Sequence, residues 1–173
     1  MSDPGREAEI HVVAWDDAWP ARFEEERELL ERTIGEFIVG PVEHVGSTAV
    51  TGLAAKPVID IMVGVAGLDE SRAALPVLET AGYTYYPYRP DVMHWLCKPS
   101  AQHRTHHLHL IPFGGQLWNE RLAFRDHLRS NPRVAADYAA LKYELAERYR
   151  TDREAYTDAK SEFVRAIVES VVG

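Results

Sequence analysis

Cysteine is almost absent from this sequence, and no long apolar run occurs in it. The 173 residues include one cysteine, Cys97, so the chain cannot build a disulfide framework or a cysteine-rich zinc site, and a reducing compartment is expected. No segment approaches the roughly 20 apolar residues needed to cross a bilayer. The start of the chain lacks the basic residues and apolar run of a signal peptide. These observations predict a cytoplasmic protein.

Positive charge is also scarce. The chain has 19 Lys and Arg against 27 Asp and Glu, a formal net charge of -8. This balance argues against broad binding to nucleic acid and against binding to an anionic membrane, because both need many cations near phosphates. It leaves room for a small nucleotide in a local basic pocket. The sequence does not predict an oligomeric state.

The composition is that of one ordinary globular domain. Hydrophobic residues make up 46% of the chain and charged residues 27%, and no repeat or linker is visible. We predict a single domain over residues 1–173, with residues 1–9 flexible. The predicted order is a helix, strands interrupted by one helix, and then three helices. This order favours an α+β or α/β-like domain, a mixed β-sheet flanked by helices with a helical carboxyl-terminal segment.

A glycine-serine corner follows the first predicted core strand, at Gly46, Ser47 and Thr48. Glycine lets the backbone approach a ligand closely, and exposed amides at the start of a helical turn suit a phosphate. Lys56 is close in sequence and would add charge. The same residues are also typical of an ordinary turn. A phosphate-binding role and a purely structural role both stay open.

A lone carboxylate, Asp60, interrupts the apolar strand PVIDIMV. Strand alternation places it on one face with Val58 and Met62, opposite Ile59 and Ile61. A carboxylate in such a strand is costly unless it is paired, hydrogen-bonded or bound to a metal. Asp60 is therefore a candidate metal ligand or proton acceptor, and the alternative is a structural hydrogen bond to a loop.

A histidine-rich strand, HRTHHLHL, offers further polar groups. His107 and His109 are two residues apart and share a face, whereas His106 faces the other way. Two histidines in this arrangement suit a metal ion. Together with His44 and Asp60 they predict a divalent-metal site with mixed nitrogen and oxygen ligands.

Basic residues alternate with apolar ones on the predicted helices after Gly114. Such side chains usually extend along the edge of a core, but they can also line one wall of an anion pocket. Arg121, Arg125, Tyr138 and Lys142 belong to this pattern. We take Arg125 and Lys142 as candidate phosphate-binding residues.

Several segments, in order, resemble the motifs of the GrpB family over about residues 15–170. These segments are EHVGSTAV, GLAAKPVIDI, HHLHL and LAFRDHLRSNPRVAADYAALK. The family is placed in the nucleotidyltransferase superfamily, and in some proteins a GrpB-like domain is fused to dephospho-coenzyme A kinase. The resemblance implies a small mixed sheet with flanking helices. It also implies that Gly46 and Ser47 match the turn that holds a nucleotide triphosphate, and that Asp60 matches the first carboxylate of an Asp-x-Asp pair for magnesium.

The second position of that pair departs from the superfamily pattern. Met62 stands where the second carboxylate is expected, and the usual third carboxylate has no clear counterpart. Magnesium prefers oxygen ligands, so one aspartate with histidines suits a single transition metal better than a magnesium pair. The cofactor expectation is therefore a divalent metal, either Mg or Mn or one transition-metal ion. If the protein is an enzyme, Asp60, His107 and His109 are its expected catalytic residues.

Three functional hypotheses follow from these residues. The first is a nucleotidyltransferase-like protein that binds a nucleotide or another phosphate-bearing small molecule and transfers a nucleotidyl group to an acceptor with the help of a metal. The second is a non-catalytic module that binds a nucleotide or a coenzyme A-related compound. The third is a hydrolase with a single metal held by histidine and aspartate.

Overall fold

A computed structural model of the chain describes residues 9–172, so nearly all of the segment predicted to be flexible lies outside the described residues. The helices are α1 (Trp19–Ile34), α2 (Leu68–Ser71), α3 (Ala74–Thr80), α4 (Gln116–Ser130), α5 (Pro132–Arg148) and α6 (Arg153–Val172). The strands are β1 (Val42–Val45), β2 (Ile59–Val65), β3 (Thr84–Tyr86), β4 (His94–Pro99) and β5 (Arg104–Pro112). The predicted α+β class is confirmed.

The helix predicted between the second and third strands is divided in two. α2 ends at Ser71 and α3 begins at Ala74. Pro76 explains the break, because proline lacks an N–H group and its ring crowds the carbonyl of the residue four positions earlier, Arg72. Among residues 9–172, no helix has both the length and the apolar character needed to cross a membrane.

The five strands form one mixed sheet in the order β1-β2-β5-β4-β3. β2 and β5 are parallel at its centre, and every other neighbouring pair is antiparallel. In the central register Asp60 lies opposite His107, and Met62 lies opposite His109. Residues paired in this way point to the same face, so Asp60, His107 and His109 share one face of the sheet.

Each face of the sheet has its own apolar core. On one face, Ile59, Ile61 and Val63 of β2 pack with Leu30 and Ile34 of α1. On the other face, Met62 of β2 packs with Trp95 and with Trp118 of α4. β2 is therefore covered on both sides, as its continuous apolar sequence predicts. Asp60 lies on the second face, where α4 contacts β1 and β5, and where α5 and α6 pack against α4.

Candidate functional site

Asp60 lies at the start of β2, on the sheet face away from α1. Its Oδ1 atom accepts hydrogen bonds from Nδ1 of His107 at 3.1 Å and from Nε2 of His109 at 3.4 Å. The side chain is 27% exposed, so solvent reaches the carboxylate, and we call the partly open region around it the cleft. Burial alone would raise its pKa, but the hydrogen bonds from the two histidines outweigh burial and hold the pKa well below its usual range.

The glycine-serine corner is built against this carboxylate. Gly46 has φ of 74° and ψ of -174°, a backbone conformation that essentially only glycine adopts. A Cβ atom at this position would lie 2.5 Å from Oδ2 of Asp60. Glycine is thus required both for the turn and for the close approach. The turn continues as a short 3-10 helix, Ser47–Ala49.

Lys142 of α5 is a buried cation beside the corner. Its side chain is 1% exposed, and its ammonium group donates a hydrogen bond to the carbonyl of Ala54. It also lies 4.7 Å from the ring centre of Tyr138, whose hydroxyl shares a hydrogen bond with the side chain of Ser47. Lys142 therefore connects α5 to the loop between the Gly46 corner and β2.

Two further lysines converge on one tyrosine ring. The ammonium groups of Lys56 and Lys160 lie 5.0 Å and 4.4 Å from the ring centre of Tyr156. Such cation–π contacts orient a lysine but leave its positive charge in place. Neither Lys142 nor Lys160 forms an ion pair with a carboxylate anywhere in residues 9–172.

The lysines act on one another electrostatically. Burial lowers the pKa of Lys142 to about 7, helped by the charges of Lys160 and Lys56. Burial and the charge of Lys56 likewise lower the pKa of Lys160 to about 7. The negative charge of Asp60 opposes both shifts but does not cancel them. The cleft thus holds more positive charge than its one carboxylate neutralises.

Arg121 of α4 forms another wall of the cleft. Its Nη1 atom donates to Nδ1 of His109 at 2.9 Å, and its Nη2 atom lies 3.8 Å from the sulfur of Met93. A guanidinium group can only donate hydrogen bonds, so Nδ1 of His109 must be the acceptor. Neutral His109 therefore carries its proton on Nε2, the atom that faces Asp60.

The other histidine of the pair has one nitrogen without a partner. His107 donates from Nδ1 to the ionised Asp60, which leaves Nε2 as an acceptor. Nε2 is buried and has no hydrogen-bond partner in the described part of the chain. The ring of Trp95 packs beside it, with the ring centres 5.1 Å apart.

His44 does not join this group, and the prediction that it is a metal ligand is corrected. It lies opposite Ile61, so its side chain points to the face that carries α1. There its ring stacks on Phe23 with the centres 4.7 Å apart, and Nε2 lies 2.9 Å from Oγ1 of Thr48. Burial lowers its pKa to about 4. His44 is a core histidine that helps to fix the corner.

Two of the candidate phosphate-binding residues are used elsewhere. Thr48 is buried and donates its hydroxyl to the carbonyl of Val58 at 3.2 Å. Arg125 pairs with Glu43 at 2.7 Å and with Asp126 at 2.9 Å, so its charge is compensated. Both residues line a separate cavity of about 330 Å³ at the outer edge of β1. Among the candidates, Gly46, Ser47, Lys56 and Lys142 are the ones that meet around Asp60.

Lys160 and Tyr156 belong to the cleft but are not among the predicted site residues. A signal for them exists in the sequence of α6, where Tyr156, Phe163 and Ile167 form an apolar stripe. Lys160 falls within this stripe, four residues after Tyr156. A lysine within the apolar stripe of a helix is unusual enough to mark a candidate site.

The residues around Asp60 do not fit the magnesium pair that the superfamily resemblance implies. Asp60, His107 and His109 offer ligand atoms within 4.8 Å of one another. Met62, opposite His109, supplies no second carboxylate. Both histidines also present an N–H group, not a lone pair, to Oδ1 of Asp60. This donor set lacks the oxygen ligands that magnesium requires.

Comparison with known proteins gives consistent matches along nearly the whole chain. Residues 9–170 match the sequence model of the GrpB family, described as GrpB protein. The "Glutamate-rich protein GrpB" of Alkalihalophilus pseudofirmus is 38% identical over 169 residues, covering 94% of this chain and 96% of that protein. The crystal structure of the conserved protein GrpB from Enterococcus faecalis superposes with a TM-score of 0.85 at 34% identity, covering 93% of this chain and 96% of that chain.

A more distant relative has a name that denotes an enzyme. A dephospho-CoA kinase of Mycolicibacterium paratuberculosis is 28% identical over 183 residues. The match covers 91% of this chain but 45% of that protein, so more than half of the kinase has no counterpart here.

Proposed function

The chain belongs to the GrpB family, and from this premise we propose that it binds a nucleotide or another phosphate-bearing small molecule in the cleft around Asp60. The family match supports the resemblance that the sequence motifs indicate. One observation carries the proposal. Lys142 and Lys160 lie close enough to each other and to Asp60 to interact electrostatically, and neither forms an ion pair with a carboxylate within residues 9–172.

Cations in this position need an anion. Burying a charge is costly unless the charge is both paired with an opposite charge and hydrogen-bonded. The contacts of Lys142 and Lys160 with tyrosine rings and a carbonyl orient the two ammonium groups, yet they add no negative charge. A phosphate group supplies both negative charge and several strong acceptor oxygens. A bound phosphate would therefore stabilise the two ammonium groups in the positions that they already occupy.

The charge balance favours a ligand with more than one phosphate. Lys142, Lys160 and Arg121 have no ion pair to a carboxylate in the described residues, and each interacts electrostatically with Asp60. A single phosphate carries at most two negative charges near neutral pH. Repulsion from Asp60 offsets part of its attraction to the three cations. A diphosphate or triphosphate matches the cleft better than a lone phosphate.

The nucleotide part of the proposal rests on two further supports. The Gly46 corner lies against a strand carboxylate, which is the arrangement that resemblance to the nucleotidyltransferase superfamily implies for a triphosphate. The relative named as a dephospho-CoA kinase adds coenzyme A and dephospho-coenzyme A to the ligands worth testing. Nucleotides and coenzyme A share phosphate chains attached to an organic group.

Binding is better supported than transfer. Metal-dependent nucleotidyl transfer and single-metal hydrolysis both need a cation at Asp60, His107 and His109. The methionine at position 62 and the N–H groups directed at Asp60 do not suit such a cation. A non-catalytic binding module therefore accounts best for the geometry.

Thermal unfolding with candidate ligands tests the proposal. We would compare ATP, GTP, CTP, UTP, coenzyme A, dephospho-coenzyme A and pyrophosphate, each in chelator. A ligand at 100 times its dissociation constant adds about 2.7 kcal/mol to the free energy of unfolding. For a chain of this size that is about 5–10 °C in midpoint. Absence of a shift with every compound contradicts the proposal.

Matched variants show whether the ligand that shifts the unfolding midpoint binds in this cleft. Lys142→Met removes the buried ammonium group and Lys160→Met removes a partly buried one, and both variants are expected to lose the shift. Arg148→Met removes an exposed cation from the same helix as Lys142 and is expected to keep it. A shift that survives both lysine substitutions places the ligand outside this cleft.

A further inference from the structure

The hydrogen bonds around Asp60 fix which groups face its Oδ1 atom. Nδ1 of His107 and Nε2 of His109 both direct N–H groups at Oδ1, at 3.1 Å and 3.4 Å. A metal ion bound by these three residues would need lone pairs on the same two nitrogens. Each imidazole would therefore have to move its proton to its other nitrogen before it could bind the ion.

The two histidines differ in their freedom to do so. Nε2 of His107 has no hydrogen-bond partner within residues 9–172, so nothing there opposes a proton on that atom. Nδ1 of His109 already accepts a hydrogen bond from Arg121 at 2.9 Å. A proton on Nδ1 would point directly at a guanidinium N–H, which cannot accept it. Arg121 thus keeps His109 protonated on Nε2, and in this tautomer Nε2 cannot bind a metal ion held by Oδ1 of Asp60.

Arg121 is held in this position by the packing of its helix. Trp118 and Leu122 of α4 are packed into the core on the Asp60 face of the sheet. Arg121 comes three residues after Trp118, so it lies on the same side of α4. Contact of its Nη2 atom with the sulfur of Met93 fixes the other end of the guanidinium group.

We propose that Arg121 takes the place of a metal ion in this cleft: by holding His109 as a donor to Asp60 it excludes a divalent cation, and the cleft receives its phosphate ligand as the metal-free anion. The second half of this proposal rests on the proposed phosphate binding, whereas the exclusion of metal does not. Arg121 is a positioning residue with respect to Asp60, because it acts on the carboxylate through His109.

The charges of the cleft favour the same outcome. A divalent cation at Asp60 would lie near the positive charges of Arg121, Lys142 and Lys160 and would be repelled by them. A magnesium ion on a nucleotide neutralises two of its charges and occupies phosphate oxygens. The metal-free nucleotide offers the lysines more charge and more acceptor atoms. Excess magnesium should therefore weaken nucleotide binding. A metal-dependent site would instead need magnesium in order to bind the nucleotide.

Metal titration tests the exclusion directly. We would titrate Zn²⁺ and Mn²⁺ into the wild-type protein, Arg121→Met and Arg129→Met by calorimetry at neutral pH. Arg129 is exposed on the same helix and bonds the carbonyl of Ala49, so its variant is the matched control. We expect Arg121→Met to gain one bound ion per chain with an affinity at least about tenfold above wild type. The gain should disappear in the double variant Arg121→Met with Asp60→Asn.

Two results would overturn the exclusion of metal. One is a wild-type protein that binds one Zn²⁺ or Mn²⁺ ion and loses it in Asp60→Asn. The other is a folded Arg121→Met protein that gains no metal. If Arg121→Met does not fold, nitrogen NMR of the wild-type His109 ring decides, because the proposal requires the proton on Nε2 and a proton on Nδ1 contradicts it.

A nucleotide titration tests the second half of the proposal, that the phosphate ligand binds without a metal ion. We expect ATP to bind in chelator, and its apparent dissociation constant to rise at least about tenfold in excess magnesium. Tighter binding with magnesium contradicts the proposal. If ATP, coenzyme A and pyrophosphate all fail to bind while Arg121→Met gains metal as expected, the proposed function fails and the exclusion of metal stands.

Discussion

Gly46 and Asp60 are fitted to each other so closely that a Cβ atom on residue 46 would lie 2.5 Å from Oδ2 of Asp60. The corner and the carboxylate therefore form one unit, although they come from different parts of the chain. This contact brings Ser47 beside the cleft that Lys142 enters from α5. The site depends on the turn as much as on the charged residues.

Gly46→Ala should destabilise the protein and remove ligand binding. Gly52 provides a matched control, because it also has a positive φ, of 83°, but a Cβ there meets nothing within 4 Å. Gly52→Ala carries the backbone strain alone, about 1–3 kcal/mol. Gly46→Ala carries that strain together with the clash against Asp60. Denaturant unfolding should show the larger loss for Gly46→Ala, and equal losses contradict the account.

Lys142→Met should make the free protein more stable while it abolishes phosphate binding. Methionine fills a similar volume, and it removes the desolvation penalty of a buried charge that has no ion-pair partner in the described residues. The lost hydrogen bond to Ala54 offsets part of the gain. Denaturant unfolding of the ligand-free wild type, of Lys142→Met and of the surface control Arg148→Met measures the change in the free energy of unfolding. A strongly destabilised Lys142→Met would mean that the lysine is structural.

The free energy of unfolding should rise between pH 7.5 and pH 9. In the folded protein the pKa of Lys142 and of Lys160 is about 7, whereas an ordinary lysine has a pKa of 10.5. In this range the unfolded chain binds more protons than the folded one, so raising the pH favours the folded state. The rise should be smaller in Lys142→Met. An identical slope in the two proteins contradicts the assignment.

Ligand affinity should respond to pH in the opposite direction. An anion favours the charged form of Lys142 and Lys160, so binding takes up protons above pH 7. The affinity for ATP should fall by up to about tenfold per pH unit for each lysine that must gain a proton. Calorimetry in buffers of different ionisation enthalpy between pH 7.5 and pH 9 measures the uptake. Release of protons on binding would contradict this prediction.

Tyr156 should serve the site through its ring and not through its hydroxyl. The hydroxyl is buried and has no hydrogen-bond partner in the described residues. Tyr156→Phe removes this unsatisfied group, so we expect unchanged or higher stability, by up to about 1–3 kcal/mol, with ligand binding retained. Tyr156→Leu removes the ring beneath Lys56 and Lys160 and should weaken binding. Loss of binding in Tyr156→Phe would give the hydroxyl a direct role.

The fold and the centre of the site were predictable because they depend on local patterns. Strand alternation predicts that His107 and His109 share a face, and the apolar run around Asp60 predicts a central strand. The structure places these three side chains together. Their convergence follows from the parallel pairing of β2 with β5, which a single sequence does not specify.

The remaining parts of the site depend on tertiary geometry. Strand alternation shows that the side chain of His44 points to one of the two faces of the sheet, but not to which one. The register of β1 against β2 decides this, and it directs His44 towards α1. Lys160 is about a hundred residues from Asp60 in sequence. Only the packing of α6 brings it into the cleft. Neither the register nor the packing angle can be obtained from the spacing of residues.

The position of a bound phosphate distinguishes binding in this cleft from binding elsewhere on the protein. A crystal structure of the protein grown with ATP and a chelator would show it. We predict phosphate oxygens within hydrogen-bonding distance of the ammonium groups of Lys142 and Lys160, with no metal ion at Asp60. Phosphate bound instead in the cavity beside Arg125 and Arg129, or bound through a metal at Asp60, would contradict the account.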